Sequence, residues 1–290
     1  MNIHKQSTIG VIGAAGQTGV AVLKSLLSKG VQVRAVIRHE SQKEKLPENI
    51  ETIVANNSDW NALACAIEGL ESVYYIPPVF SKQEVAFGKN VIAVTQKHKV
   101  RLVYHSVMHS NTPTMPHHWN KYQVEQLIKK STIDKWTIVQ PAMYSQTPLS
   151  FLNADKTRII AGFDMNKTFT PIDLVDLGEA VANILISDRH HQKVYELAGN
   201  EKLTLSKMIE IIRQTTGKDI KPVRLPSLIV AIGAAVKLRT QAVLMIKTMF
   251  DHYNKNGFTG ESKDLIGLIE REPTSFRQTV ERELALYCIQ

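Results

Sequence analysis

One short stretch near the N-terminus constrains this chain more than any other. Ser7–Ile12 reads as an apolar strand, and Gly13-Ala14-Ala15-Gly16-Gln17-Thr18-Gly19 follows it directly. Beyond it Val20, Leu23, Leu26 and Leu27 recur at helical spacing, and Gly30 supplies the stop. A strand that turns sharply into a helix needs positive φ, which glycine adopts cheaply. Bare backbone N–H groups let a pyrophosphate come within hydrogen-bond distance, and the helix presents its positive end to that anion. Gly19 lets the helix pack closely on the strand. Three spaced glycines are a weak signal alone; between a strand and an amphipathic helix they mark a dinucleotide site. A glycine-rich structural turn is the plainer alternative.

The rest of the first half repeats the same alternation. Val31–Ile37, Ile50–Ala55, Ser72–Ile76, Val100–His105 and Trp136–Val139 read as strands. Helices are expected from a cap at Asp59 through Ala66, over Val85–His98 and over His118–Lys130. Near-continuous apolar strands separated by helices predict an α/β fold, a doubly wound parallel sheet covered on both faces. After Pro141 the regularity breaks. Asp173 would cap a helix facing inward through Leu177, Val181, Ile184 and Leu185, and Val194–Leu197 is a short strand. Thr204 or Ser206 opens another helix, and residues 225–250 form a mainly apolar helix interrupted by Lys237, Arg239 and Lys247. Ser275 and Gln278 resemble a capping box for a last helix carrying Phe276, Val280 and Leu284. The expected division is a dinucleotide-binding domain over 1–145, its sheet completed by about 170–198, and a smaller, mostly helical lobe over 146–290 for substrate or partner.

Composition narrows the field. Across 290 residues, 43% hydrophobic and 21% charged residues exclude a disordered or disulfide-built chain. The net charge of +8 is spread along the chain, with no basic tail and no helix-turn-helix pattern, so specific nucleic-acid binding is not expected. Cys65 and Cys288 stand in no metal or redox spacing, which fits a reducing compartment. Met1–Ser7 is polar and short, unlike a signal peptide. Leu225–Val236 is apolar but contains Pro226 and is too short to span a bilayer. A cytoplasmic protein outside the membrane is expected, with amphipathic membrane contact a minor alternative.

An NAD site usually offers an acidic residue at the end of the second strand. Here Arg38 stands at about that position. A guanidinium pairs with a 2′-phosphate where a carboxylate would repel it, so NADP(H) is favoured over NAD(H). The alternative is a solvated arginine heading the next helix, with Glu40 close enough to reach a ribose.

The run Ile9–Gly19 resembles the opening of the NmrA-like family, a branch of the atypical short-chain dehydrogenase/reductases. The resemblance continues in His117-His118-Trp119-Asn120-Lys121-Tyr122-Gln123-Val124-Glu125, in Trp136–Tyr144, in Tyr195–Gly199 and in Glu272–Phe276. It implies a Rossmann domain binding NADP(H), and the family contains both reductases, including quinone reductases, and cofactor-sensing regulators. Carried over by position, Gly13, Ala15, Gly16, Gln17, Thr18, Gly19 and Arg38 would contact the dinucleotide. Asn56 would lie near adenine, Pro77 and Pro78 would border the ribose, and Pro141, Ala142 and Met143 would border the nicotinamide.

The proton-relay pattern of the wider superfamily, Tyr-x-x-x-Lys, is incomplete. Lys121 is present, but His117 takes the tyrosine position, and Tyr122 lies about 100° around the helix. Ser106 is near the usual serine position, with Val107 next to it. His117 would be a proton donor, or Lys121 a lone ribose clamp, or the acceptor a quinone that takes its protons from water. Alternatively His117 and His118 merely begin a helix. His105, His109, His117 and His118 complete no known ligand set, so no metal is expected. Met245, Met249 and Phe250 read as core before they read as the roof of a substrate pocket. Specificity would reside in residues 145–165 and 225–260. The residues thus point to an NADPH-dependent reductase of a small carbonyl or quinone; the other reading is a non-catalytic NADP(H) sensor acting through protein partners.

Overall fold

The computed structural model describes residues 8–153, 155–238 and 240–288. The expected first residue of the opening strand, Ser7, the N-terminal segment it ends, and Arg239 lie outside the described residues.

In chain order the elements begin with β1 (Thr8–Ile12), α1 (Gln17–Ser28), β2 (Gln32–Ile37), β3 (Glu51–Val54) and α2 (Trp60–Ile67). Next come β4 (Ser72–Tyr75), α3 (Glu84–His98), β5 (Arg101–His105), α4 (Pro116–Lys129) and β6 (Trp136–Pro141). They continue with α5 (Thr147–Ser150), β7 (Arg158–Ala161), β8 (Thr168–Phe169), α6 (Leu174–Ile186) and β9 (Lys193–Leu197). The last are β10 (Leu203–Thr204), α7 (Leu205–Thr216), β11 (Lys221–Arg224), α8 (Ser227–Lys237), α9 (Val243–Asn256), α10 (Lys263–Ile269) and α11 (Phe276–Cys288). Two compact units result. One comprises Met1–Ser110, Asn120–Gln140 and Leu177–Tyr195; the other comprises Asn111–Trp119, Pro141–Asp176 and Glu196–Gln290.

The first unit is organised by a seven-stranded sheet of order β3-β2-β1-β4-β5-β6-β9. The pairings among β1 to β6 are parallel, with Ile9 opposite Val33 on one side and Ser72 on the other. This is the doubly wound order expected from the strand–helix alternation, and it reverses between β1 and β4. Ile12, Val73, Tyr75, Leu102, Tyr104 and Ile138 are buried in one apolar cluster with the inner residues of α2, α3 and α4. Helix α2 begins where Asp59 accepts a hydrogen bond from the Ala62 amide at 3.0 Å. Gly178 of α6 lies against α1: a Cβ there would stand 2.8 Å from the Ala21 carbonyl oxygen. No periodicity in the sequence announces that approach.

The second unit is mainly helical, with two small β pairs, β7 with β11 and β8 with β10. An aromatic cluster fills it: Phe163 packs on Phe169, Phe250 and Tyr253, and Tyr253 on Phe258. The apolar run from 225 to 250 is two helices rather than one. Pro226 stands at the N-cap of α8, and the buried small residues Ala231 and Ala235 lie on its inner face. Thr204, not Ser206, caps α7, accepting from the Lys207 amide at 3.1 Å. The Ser275–Gln278 box is formed, with the Ser275 amide donating to Gln278 Oε1 at 2.8 Å and the Gln278 amide to Ser275 Oγ at 3.3 Å.

Two fully buried carboxylates tie this unit to its C-terminal segment. Asp173 accepts from the Val175 amide at 2.7 Å, as the expected cap, and also from Thr279 Oγ1 and Arg282 Nη2, both at 2.6 Å. Asp176 accepts from the Thr274 amide at 2.6 Å, from Thr274 Oγ1 at 2.7 Å and from Arg271 Nη2 at 2.7 Å. Charge-assisted hydrogen bonds of this kind leave costly orphan donors when the acceptor is removed. Asp176→Ala is therefore expected to lose about 3 kcal/mol of stability in urea denaturation, with Asp176→Asn losing less. A loss within experimental error of zero would contradict this anchoring role.

Candidate functional site

The three glycines of the first turn perform separate tasks. Gly13 has φ +85°, and a Cβ on it would lie 2.7 Å from the Ile76 carbonyl oxygen beyond β4. Its amide and that of Ala14 donate to the Val36 carbonyl of β2 at 3.2 and 3.3 Å. Gly19 admits no Cβ either, because the Ala14 and Gly13 oxygens would stand 2.5 and 2.6 Å away. Gly16 is different. A Cβ there would meet only Gly13 O, at 3.5 Å, so packing does not demand glycine and the space above it is open. Gly16 is the N-cap of α1, it offers no side-chain cap, and the first turn of α1 contains no acidic residue. Gly16 and Gln17 are exposed, Ala15 is half-buried and Thr18 is buried. A helix start without a cap or carboxylate of its own, under open space, is suited to an anionic group. These residues therefore fit a dinucleotide's pyrophosphate.

The strand order lines up the other expected contacts. Asn56 follows β3, Arg38 follows β2, Gly13 follows β1, Pro77 and Pro78 follow β4, and Ser106 follows β5. Neighbouring parallel strands put these positions side by side along the carboxyl edge of the sheet, where open α/β sheets receive ligands. Arg38 is exposed, and its backbone N–H donates to Gln42 Oε1 at 2.9 Å. Glu40 is engaged by Lys43 in an ion pair one helical turn away. Asn56 Oδ1 accepts from the Ser58 amide at 3.1 Å and from Ser58 Oγ at 3.0 Å, shaping its own loop. Pro77 is buried and Pro78 half-buried.

Behind this edge lies a polar cluster of which the sequence pattern announces only part. Lys121 Nζ donates to Glu84 Oε1 at 2.8 Å, and both side chains are buried. Tyr104 Oη donates to the same oxygen at 3.3 Å. Glu84 Oε2 and Tyr75 Oη have no hydrogen-bond partner among the described residues, an arrangement that stores cost at a buried site. Burial, reinforced by the Glu84 carboxylate, pushes the phenols of Tyr75 and Tyr104 above the ordinary tyrosine range. His105 Nδ1 and Tyr74 Oη are 2.5 Å apart. Burial, aided by the Lys121 ammonium, pulls the His105 imidazole down to about 3, so it is neutral at physiological pH.

Ser106 is buried, with its hydroxyl donating to Glu125 Oε1. Gln140 Nε2 donates to that same oxygen at 2.8 Å and to Ser110 Oγ at 3.2 Å. Neither Glu84 nor Glu125 stands out as functional in the sequence. Glu84 opens α3, where an acid reads as ordinary complement to the helix dipole. Glu125 follows Lys121 by one turn of α4, a spacing that puts both on one face and is the available signal.

The remaining expected residues belong to the second unit. His117 is buried, its ring edge-on to His118 at 5.8 Å, and His118 packs on Phe258 at 5.6 Å. The Ala142 amide donates to the Leu197 carbonyl at 2.8 Å, and the Ile172 amide donates to the Met143 carbonyl at 2.9 Å, which fixes the backbone of Pro141–Met143. Phe250 belongs to the aromatic core, while Met245 and Met249 are half-buried. A cavity of about 320 Å³ lies between Gly162, Arg224–Ser227 and Asn254, nearly all within the segments expected to set specificity. Among the described residues, no group of three or more His, Cys, Asp or Glu side chains is placed to hold a metal.

Two variants test this geometry. Gly13→Ala is expected to abolish dinucleotide binding and lower the melting temperature, because the new methyl meets the Ile76 carbonyl in a left-handed backbone; calorimetric binding equal to wild type would refute this. His105 binds its proton far less readily when folded than its ordinary value of 6.5. Between that value and about 3 the unfolded chain holds the extra proton, so stability falls as pH falls through this window. His105→Gln should flatten the acid limb of stability against pH by up to about 1.4 kcal/mol per unit. An unchanged limb would show that His105 does not carry that pH dependence.

Comparison with known proteins matches this geometry. The profile of the NmrA-like family covers residues 5–281. Quinone oxidoreductase 2 of Escherichia coli strain K12 is 25% identical over 278 residues, spanning 94% of this chain and 97% of its own. The crystal structure of that NADPH-dependent quinone oxidoreductase complexed with NADPH superposes with a TM-score of 0.80, at 25% identity, over 95% of this chain and 99% of that one. Triphenylmethane reductase of Citrobacter sp. has the same fold, with a TM-score of 0.78 at 21% identity over 96% and 99% of the two chains. So does NmrA, a negative transcriptional regulator, at 0.77 and 15% over 98% and 97%. With a family profile running from the first strand into the last helix, this chain belongs to the NmrA-like family.

Proposed function

We propose that this protein is an NADPH-dependent reductase, related to the short-chain dehydrogenase/reductases, and that its acceptor is a quinone rather than an aldehyde or ketone. The observation that carries the reading is the turn at Gly13–Gly19, with its uncapped helix start and open space over Gly16. The relatives support the cofactor and the acceptor, since the Escherichia coli enzyme is named for both. In this reading the amides of the turn hold the pyrophosphate. Arg38, exposed at the end of β2 with Glu40 engaged by Lys43, pairs with the 2′-phosphate. Asn56, Pro77 and Pro78 border the adenosine and ribose. When bound, the cofactor supplies a hydride from its nicotinamide ring.

Lys121 acts as a fixed cation. Glu84 takes one of the ammonium's three donors and holds the side chain in place, which leaves the others for a ribose hydroxyl. Ser106 is oriented by Glu125 and donates its proton inward. The buried acids beside this edge are poor proton donors near neutral pH. His105 is already deprotonated, and Tyr75 and Tyr104 hold their protons tightly. A carbonyl would need a positioned acid, whereas a quinone takes protons from water. That contrast favours the quinone, and His117 acting as a proton donor would reverse the preference. We place the protein in the cytoplasm; among the described residues no helix is long and apolar enough to cross a membrane.

The second reading is an NADP(H) sensor acting through a protein partner. It is favoured by His117 in the tyrosine position, while Lys121 is neutral, since binding alone needs it. The readings separate in one set of measurements. The reductase binds NADPH tightly and NADH weakly in calorimetry, and oxidises NADPH on addition of a quinone. Arg38→Ala should weaken NADPH at least about tenfold and leave NADH unchanged. Lys121→Ala should lose most of the turnover. NADPH binding without oxidation across a quinone and aldehyde panel, with partner capture that depends on NADPH, would replace the enzyme with the sensor.

A further inference from the structure

Helix α8 reads Ser-Leu-Ile-Val-Ala-Ile-Gly-Ala-Ala-Val-Lys, with no charge before its final residue. A helix apolar on every side is ordinarily enclosed by protein or lipid. Here one side is not. Ala231 and Ala235 are buried, while Leu228, Ile229, Ile232 and Val236 are exposed, Ile229 at 54% and Val236 at 74%. These four span about 100° of the helix circumference, a continuous stripe rather than scattered residues. Leu238, just after α8, and Leu244, near the start of α9, are exposed as well, Leu244 at 71%. Among the described residues of the second unit nothing covers this stripe.

Its flanking sequence carries one sign of charge, and the carboxylate bonded to α8, Asp251 against Ser227, is neutralised by Lys247. Between Asp219 and Asp251 the sequence contains Lys221, Arg224, Lys237, Arg239 and Lys247 and no acidic residue. Lys221 and Arg224 precede α8 and Lys237 ends it, so cations stand at both ends of the apolar stripe. All three are exposed, and none is paired with a carboxylate among the described residues. A stripe of Leu, Ile and Val bounded by uncompensated cations fits the interface of an anionic bilayer, where the apolar face enters the acyl boundary and the cations meet phosphates. At 11 residues α8 would lie along that surface, since crossing needs about 20. The same charges disfavour a second copy of the chain, because a two-fold contact would bring like charges together.

We propose that α8, with the start of α9, is a docking surface for an anionic lipid bilayer. The proposal does not depend on the redox reading and is tested without cofactor or turnover. The purified full chain is sedimented with phosphatidylglycerol vesicles and with phosphatidylcholine vesicles. It should pellet with the former and remain largely in solution with the latter. Ile232→Glu with Val236→Glu lies on the exposed face, so circular dichroism and melting should match wild type while vesicle binding falls more than about tenfold. Arg224→Gln and Lys237→Gln should each weaken binding to the anionic vesicles about fivefold. Failure to pellet with phosphatidylglycerol, or equal binding to both lipids, would overturn the proposal. So would a dimer in sedimentation velocity that the double glutamate variant dissociates, which would assign the stripe to self-association.

Discussion

Everything in the first unit hangs on how closely β1 and β4 approach where the chain leaves the sheet. Gly13 puts its α-carbon against the Ile76 carbonyl in a conformation that a side chain would oppose both sterically and torsionally. That contact sits where the strand order reverses, so it fixes the mouth of the crevice. Gly19 then clamps the first turn of α1 onto the Gly13 and Ala14 carbonyls, which sets the direction of the helix. Two glycines are spent on geometry so that the third, Gly16, can be left open to a ligand. Strands β2, β3, β4 and β5 inherit their roles from this arrangement, each delivering the residue at its end to the same edge.

Much of this is legible in the sequence because local rules and the fold agree. The strand–glycine–helix run, the Asp59 and Asp173 caps and the Ser275–Gln278 box each state a boundary in a few adjacent residues, and each is formed. The features that escape detection depend on residues far apart in the chain. Strands β7 and β11 pair across more than fifty positions and carry little apolar alternation of their own. Helices α8 and α9 merge into one apolar run in the sequence, because periodicity does not report a break between two helices that share a composition. Glu84 is invisible as a partner for Lys121, since the two meet only after α3 and α4 pack on the sheet.

The polar cluster behind the sheet edge has an internal logic. Lys121 and Glu84 form a buried pair that is costly to assemble and costlier to break singly. Burial sets the protonation of the pair's neighbours and the pair reinforces it: the ammonium helps keep His105 neutral, and the carboxylate helps keep the Tyr75 and Tyr104 phenols protonated. A second buried carboxylate, Glu125, takes the Ser106 hydroxyl and the Gln140 amide. Groups that look like a proton relay when read one at a time are thus held in fixed states, chiefly by burial and then by the charges beside them.

The anchoring of Asp173 and Asp176 has a consequence for how the polypeptide is made. Their partners, Arg271, Thr274, Thr279 and Arg282, come about a hundred positions later in the chain. A chain that stopped before α11 would leave Asp173 without its Thr279 and Arg282 donors, and water would have to take their place. The second unit therefore closes only once α11 is available to it. Until then Asp173 stays without the two donors that α11 supplies, and that partly closed unit is what a chaperone would meet.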